Sequence, residues 1–277
     1  MIKSDFHIHS ENSYDATATL DEIANNARAQ GLTRIGITDH ANFIDEKFLR
    51  DLQNSASAVK EAQKKYPFMQ LGVELTPINK SHFDYIAKHG TQEGYSSPGV
   101  NASHEIELAA TKEELMALGV RYAVGAAHWR IDEYNVIRDS ENAREVIDEW
   151  YRLQLWLACD ERVTILGHPW CFGKELCFQD FSIIPRSMNM DIAAALLENG
   201  KCAECNSFFF KQDSTNERFK RQYAEFLREL FEMGIPVTYG SDSHHGYLDS
   251  RACVEKYLRY AGFVEGDITA RTDEKLW

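Results

Sequence analysis

Six short apolar runs that end in histidine, aspartate or glutamate constrain the fold of this chain more than any other feature. Their terminal residues are His7 and His9, Asp39 and His40, Glu74, His128, His168, and Asp242 and His244. A β-strand sends side chains i and i+2 to the same face, so His7 can converge with His9 and Asp242 with His244. Imidazoles and carboxylates gathered at several strand ends predict a metal site.

The alternative is that each motif arose independently. A single His-x-His pair in a strand is more often surface polarity or a hydrogen-bonded core histidine than a metal ligand. Of the ten histidines in the chain, however, six lie in such runs: His7, His9, His40, His128, His168 and His244. This placement favours shared metal binding over coincidence.

Seven β-rich runs alternate with helical patterns along the chain. The runs lie near residues 2–6, 34–38, 69–74, 121–126, 163–167, 201–206 and 236–241. Repeating β–α units specify a parallel sheet covered by helices. An open sheet would gather its site at one switch point, whereas ligands at nearly every strand end favour closure into a TIM-like α/β barrel. We therefore expect the metal site at the C-terminal face of a barrel.

Local signals place some of the helices and loops. Thr19 with Glu22, and Thr111 with Glu114, have the spacing of capping boxes, and a long helix is expected over 140–160. Three connections, 76–110, 129–139 and 169–185, are too long for simple turns. Each follows a ligand-bearing run, so we expect them to lie over the site and to shape substrate choice.

Composition limits the broad class. The 277 residues are 44% hydrophobic and 26% charged, which suits one globular domain over 1–277. No apolar stretch is long enough to span a membrane, and the first residues lack a secretion signal. The six cysteines have no framework spacing, and Cys202 and Cys205 should face opposite sides of a strand. A cytoplasmic protein with reduced thiols is expected.

The formal net charge of −13 argues against a long basic groove for nucleic acid. It does not exclude a small phosphorylated substrate, because several divalent ions would make the site itself positive. Oligomeric state cannot be read from these features.

The motifs, taken in order, resemble those of the polymerase and histidinol phosphatase (PHP) family. They are Asp5-Phe-His7-Ile-His9-Ser10, Ile37-Thr38-Asp39-His40, Gly72-Val-Glu74, Ala127-His128, Gly167-His168-Pro169 and Gly240-Ser-Asp242-Ser-His244. The resemblance covers the whole chain and is strongest to the free-standing histidinol-phosphatase-like branch, which also has an aspartate where Asp15 stands. It implies a distorted seven-stranded β/α barrel with three divalent ions (zinc, iron or manganese) that hydrolyses phosphate esters.

The resemblance also implies a ligand set for each ion. One ion would be held by His7, His9, Glu74 and Asp242, with Glu74 bridging to a second held also by His128 and His168. The third would take Asp15, His40 and His244. A hydroxide between two ions would attack phosphorus, so Glu74 and Asp242 count as catalytic. Imidazole and carboxylate donors without thiolates suit zinc, iron or manganese.

Other candidate residues have two interpretations each. Asp39 could orient a ligand or simply cap a helix, and Arg130 could contact a phosphate oxygen or be a solvated loop residue. Lys211 follows Asn206-Ser-Phe-Phe-Phe, where histidinol phosphatases have Asn-Thr-Ser-Gly followed by basic residues. His82, His89, His104 and His245 match no ligand position.

Branch similarity favours a small phosphomonoester such as histidinol phosphate. The alternatives are an amidohydrolase-type metal-dependent C–N hydrolase, a phosphodiesterase or nuclease acting on nucleotides, and a non-catalytic metal-stabilised module. No lysine in the sequence is a candidate for the bridging ligand that amidohydrolases often carry. The complete set of candidate metal ligands argues against a non-catalytic module.

Overall fold

Parallel strands form the centre of the molecule. The computed structural model describes residues 1–41, 46–79, 106–128, 143–171, 180–213, 215–246 and 250–269. The strands are β1 (Ser4–Ile8), β2 (Arg34–Ile37), β3 (His40–Ala41), β4 (Met69–Leu75), β5 (Ile78–Asn79), β6 (Ile106–Glu107), β7 (Tyr122–Gly125), β8 (Ile165–Leu166), β9 (Cys202–Asn206) and β10 (Val237–Gly240).

Seven of these strands follow one another in the sheet order β1-β2-β4-β7-β8-β9-β10, and β3 adds to β4. Every pair in this sheet is parallel, as β–α repeats require. The short strands β5 and β6 pair separately and antiparallel. The seven predicted runs thus all form strands of one sheet.

The sheet curls into a nearly closed barrel. Between β10 and β1 the contact is a parallel bridge from Ile8 to Ser243, just past the end of β10. Asp242 N donates to His7 O at 2.8 Å, and the buried Asp5 carboxylate accepts from Ser241 N at 3.0 Å. These bonds join the first and last strands at their carboxyl ends, which confirms the seven-stranded TIM-like barrel expected from the sequence.

Helices cover the outside of the barrel. They are α1 (Leu20–Ala29), α2 (Glu46–Gln63), α3 (Lys112–Leu118), α4 (Ala143–Cys159), α5 (Arg186–Glu198), α6 (Phe208–Lys211), α7 (Glu217–Glu232) and α8 (Arg251–Tyr260), with a 3₁₀ turn at Phe181–Ile183. Both predicted capping boxes are present, Thr19 with Glu22 on α1 and Thr111 with Glu114 on α3. The long helix expected over 140–160 is α4. No helix in the described residues is both long and apolar enough to cross a membrane.

Buried side chains occupy the barrel interior. A buried cluster of Phe6, Tyr122, Val124, Ala126, Ile165 and Cys202 occupies it. The Tyr122 hydroxyl donates to Phe6 O at 2.9 Å, and its ring lies over Gly36 and Gly72, where an added Cβ would come within 2.7 Å and 2.6 Å of the ring carbon Cζ. Cys205 instead belongs to the larger core outside the barrel, so Cys202 and Cys205 face opposite sides as predicted.

The packed interior leaves the carboxyl ends of the strands as the place where polar side chains gather. The three long connections expected to cover this end lie mainly outside the described residues, at 80–105, 129–142 and 172–179.

Candidate metal centre

The strand ends bring two histidines to one oxygen of a buried glutamate. His7 and His9 project from the end of β1 and Glu74 from β4, and all three are fully buried. Glu74 Oε2 lies 3.3 Å from Nε2 of His7 and 3.3 Å from Nε2 of His9. The two histidine nitrogens are 3.2 Å apart. The i and i+2 geometry of β1 therefore makes the convergence expected from the sequence.

The residues after β10 complete this part of the cluster. Asp242 Oδ1 lies 3.3 Å from His9 Nε2 and 3.6 Å from His7 Nε2. Asp242 has a left-handed backbone with φ of 52°, which is uncommon for a residue other than glycine. The hydrogen bond from the Asp242 backbone N to His7 O holds that conformation and directs the carboxylate inward. Backbone strain of this kind is typical of functional sites.

The other oxygen of Glu74 faces two histidines from neighbouring strand ends. Glu74 Oε1 lies 3.2 Å from His128 Nε2 and 3.3 Å from His168 Nε2. Thr76 Oγ1 lies 2.9 Å from His128 Nδ1 and fixes that ring from behind. His168 also has positive φ, at 23°. Glu74 therefore stands between two groups of imidazoles, as a bridging ligand would.

A third group lies toward solvent. Asp15 Oδ2 is 3.2 Å from His40 Nε2 and 3.3 Å from His244 Nε2. Asp15 is part-buried and its Oδ1 accepts from Ser13 Oγ at 2.9 Å. Thr19, not Asp15, caps α1. The geometry thus gives Asp15 two histidine neighbours and leaves the capping to another residue.

Within the part of the chain that the structure describes, three sets of residues bring potential ligand atoms within 4.8 Å of one another. They are His7, His9 and Asp242; His40, Glu74 and His128; and His9, Asp15, His40 and His244. The sets differ from the family-based assignment: His9 and His40 each belong to two of them, Glu74 belongs to one, and His168 belongs to none and joins the cluster through its contact with Glu74 Oε1. All nine predicted ligand residues lie in one contiguous cluster.

Charge compensation is strong within the cluster. Burial acts to raise the pKa of Glu74, but the adjacent imidazoles of His40, His7 and His128 hold it well below its usual value. Burial acts to lower the pKa of His40, yet the carboxylates of Glu74 and Asp15 raise it to about 10. Within the cluster the imidazoles therefore balance the carboxylates, a role that bound cations would take over.

The buried atoms of the cluster fit a cation better than they fit one another. Glu74 Oε2 and His40 Nδ1 approach within 2.8 Å, yet among the described residues neither has a hydrogen-bond partner, and the same holds for Nδ1 of His9 and of His168. Unpaired buried acceptors are costly. A carboxylate oxygen ringed by imidazole nitrogens is the donor set that zinc, iron or manganese accepts.

Two site residues escape the strand-end pattern. Glu204 and Asn206 lie within β9, on its inward face, and both are buried. Glu204 Oε1 lies 2.7 Å from His7 Nδ1, and Asn206 Nδ2 donates to Asp242 Oδ2 at 3.4 Å. The signal that could have revealed Glu204 is a charged residue in an otherwise apolar buried strand, two residues from an asparagine on the same face.

The remaining candidates lie around the cluster or outside the described residues. The Asp39 carboxylate accepts from Ser10 N at 2.6 Å and from Ser55 Oγ at 2.5 Å, so it ties the loop after β1 to α2. Lys211 Nζ donates to Ser241 O at 3.0 Å, beside Asp242. His245 lies at the surface near Thr17. Arg130, His82, His89 and His104 are outside the described residues.

The fold and the cluster define a class, a parallel α/β barrel with potential metal ligands at the carboxyl ends of its strands. The sequence model of the PHP domain matches residues 5–169, more than half of the chain. The protein therefore belongs to the PHP domain family. Asp242 and His244 lie beyond the matched segment, and the barrel brings them to the cluster.

Two solved structures share the fold. A histidinol phosphate phosphatase from Lactococcus lactis, solved with zinc, L-histidinol and phosphate, is 20% identical, with a TM-score of 0.65 over 95% of this chain and 94% of its own. A putative histidinol phosphatase from Listeria monocytogenes is 15% identical, with a TM-score of 0.60 over 88% of this chain and 96% of its own. No match was found among curated protein sequences.

Proposed function

We propose that this protein is a metal-dependent phosphoesterase that hydrolyses a small phosphomonoester. The observation that carries the proposal is the fully buried Glu74 carboxylate, which has imidazole nitrogens within 3.3 Å of both oxygens. Such a bridging carboxylate suits two adjacent ions better than one. Family membership, and a fold neighbour solved with zinc and phosphate, support the same reaction class.

Three divalent transition-metal ions would be held by the nine residues of the cluster. They are His7, His9, Asp15, His40, Glu74, His128, His168, Asp242 and His244. The ions would supply Lewis acidity, which acidifies water and neutralises charge on a phosphoryl group. No serine or cysteine nucleophile is then needed.

The chain's own contribution is to orient the ligands before any ion binds. Thr76 holds Nδ1 of His128, and Asp242 O lies 3.1 Å from Nδ1 of His244, so that each ring presents Nε2 to the cluster. Partners of this kind fix ring orientation and raise ligand basicity. Arg130 is proposed as a phosphate contact and Asp39 as a residue that orients the loop after β1.

Histidinol phosphate is the first substrate to test, because the Lactococcus lactis structure holds L-histidinol and phosphate. The test uses chemically stripped protein reloaded with zinc, manganese or iron, assayed against phosphomonoesters, phosphodiesters and amides, with Glu74→Ala as the matched inactive control. We expect phosphate release from monoesters only in the reloaded wild-type protein. Preference for diesters would indicate a nuclease-like enzyme, and amide cleavage alone would overturn the proposal in favour of a C–N hydrolase.

A further inference from the structure

Glu204 occupies an unusual position for a charged residue. It lies in the middle of β9 and only 1% of its surface is exposed. Cys202, Glu204 and Asn206 share the inward face of this strand. A carboxylate buried at such a position is costly unless several hydrogen bonds satisfy it.

Its two oxygens contact two different ligand-bearing segments. Glu204 Oε1 lies 2.7 Å from Nδ1 of His7, whose Nε2 faces Glu74 and Asp242. Glu204 Oε2 accepts from the backbone N of His168 at 2.6 Å and from Asn206 Nδ2 at 3.2 Å. Asn206 continues the chain of contacts to Asp242 Oδ2. One buried carboxylate is therefore linked to three ligand residues of the cluster.

The backbone opposite Glu204 makes room for this carboxylate. A Cβ at Gly240 would overlap Glu204 Oε1 and would lie 2.7 Å from the Cβ of His7. Gly240 does not have the positive φ that usually calls for glycine. Space for the pair of Glu204 and His7, and not backbone conformation, therefore explains glycine at this position.

We propose that Glu204 is a positioning residue shared by two metal sites, an inference that rests on the proposed metal centre. Because Glu204 Oε1 accepts a hydrogen bond from His7 Nδ1, the imidazole keeps its proton on Nδ1. The Nε2 lone pair is then free to bind an ion. Glu204 Oε2 accepts a hydrogen bond from the backbone N of His168. This bond holds the positive-φ backbone that turns the His168 imidazole toward Glu74. Glu204 thereby sets the spacing between the His7 and His168 sites without contacting an ion itself.

The variant Glu204→Gln tests this dual role because an amide can satisfy only one contact. If its carbonyl oxygen faces His7, its NH₂ group opposes the His168 N–H, donor against donor. If its NH₂ group faces His7, the ring must accept at Nδ1 and carry its proton on Nε2, where an ion should bind. Glu204→Asp keeps the charge but is too short to reach both partners.

The readouts are metal content per chain by elemental analysis and zinc affinity by chelator competition, with folding checked by circular dichroism. We expect Glu204→Gln and Gly240→Ala to lower affinity by about 10- to 100-fold, as is typical of lost outer-shell partners. Cys202→Ala, on the same face of β9, should bind metal like the wild type. Wild-type affinity in folded Glu204→Gln would overturn the inference.

A measurement on the unaltered protein covers the case in which the variants do not fold. Nitrogen-15 NMR of histidine-labelled, zinc-loaded wild-type protein should show His7 protonated at Nδ1, and a proton on Nε2 would contradict the proposal. Wild-type protein that binds no metal would instead refute the metal centre itself. The two failures are thus distinguishable.

Discussion

Glu74 Oε2 lies 2.8 Å from Nδ1 of His40, while Oε1 of the same carboxylate faces His128 and His168. His40 comes from β3, which pairs directly with β4 in the register His40 to Glu74. One carboxylate thus touches imidazoles from several strand ends around the barrel. Glu74 is the residue at which the groups of candidate ligands meet, so under the proposed function its loss should affect more than one ion.

The first prediction compares Glu74→Ala with Arg130→Ala. Removal of Glu74 takes away a shared ligand and leaves several buried histidines without their carboxylate. We expect the loss of more than one ion per chain and a fall in turnover of at least about a hundredfold. Arg130→Ala should keep its metal and lose less activity, since it would remove only a phosphate contact. Equal metal content in the two variants, measured by elemental analysis, would contradict the bridging role.

The second prediction concerns Asp15, which lies between His40 and His244. We expect Asp15→Ala to fold, to lose about one ion per chain, and to lower turnover roughly a hundredfold, as for loss of a transition-state-stabilising group. Thr19→Ala is the matched control, because it removes the cap of α1 and should cost about 1 kcal/mol of stability with metal content unchanged. Normal metal content and turnover in Asp15→Ala would show that it is not a ligand.

The strand ends were predictable because the side-chain period of two and the apolar runs are local properties of the sequence. His7 and His9 needed only that period to converge. Glu204 was not predictable in the same way, since its partners His7 and His168 are distant in sequence and a strand interior is normally apolar. The positive φ of Asp242 likewise depends on its bond to His7 O, a contact that exists only after the barrel closes.

The assignment of ligands to separate ions is also beyond local sequence reasoning. His9 is close to Asp242 and also to the set that contains Asp15, because its ring stacks between those of His40 and His244 at centroid distances of 4.3 Å and 4.2 Å. Motif order gives no information about such stacking. The motifs predict which residues are ligand candidates, but the grouping of these candidates follows from the packing of imidazole rings.

The third prediction separates barrel packing from the metal cluster. Gly36→Ala would drive a methyl group into the Tyr122 ring, so we expect a loss of about 1–3 kcal/mol in unfolding free energy. Tyr122→Phe removes the hydroxyl that donates to Phe6 O and should cost about 1 kcal/mol. The double variant should lose less unfolding free energy than the sum of the losses in the two single variants, because the Tyr122 hydroxyl is part of the clash with the added methyl group. Urea unfolding of the four proteins measures this coupling, and strict additivity would argue against it.

The Tyr122 ring packs over Gly36 and its hydroxyl donates to Phe6 O, both within the barrel interior, so metal content should stay at the wild-type value throughout this series. A loss of metal in Tyr122→Phe would show that the barrel interior and the cluster are mechanically linked.

The fourth prediction concerns Lys201, which lies just before β9 and is 5% exposed. Its Nζ donates to the backbone oxygens of Leu157 and Asp160. Burial lowers its pKa to about 8, against the opposing effect of Asp160 and Cys159. The folded protein therefore binds fewer protons than the unfolded chain between about pH 8 and the usual lysine pKa of about 10.4, and stability should rise with pH across this window.

The variant Lys201→Met lacks this titration, so the stability of the wild type relative to the variant should increase from pH 8 to pH 10. Urea unfolding at several pH values, with equal metal loading, measures the difference, and effects of other groups largely cancel. Lys64→Met is the matched control, because the Lys64 side chain is 73% exposed. If the difference in unfolding free energy stays constant or falls as pH rises, the pKa of Lys201 is not lowered in the folded protein, and the prediction is wrong.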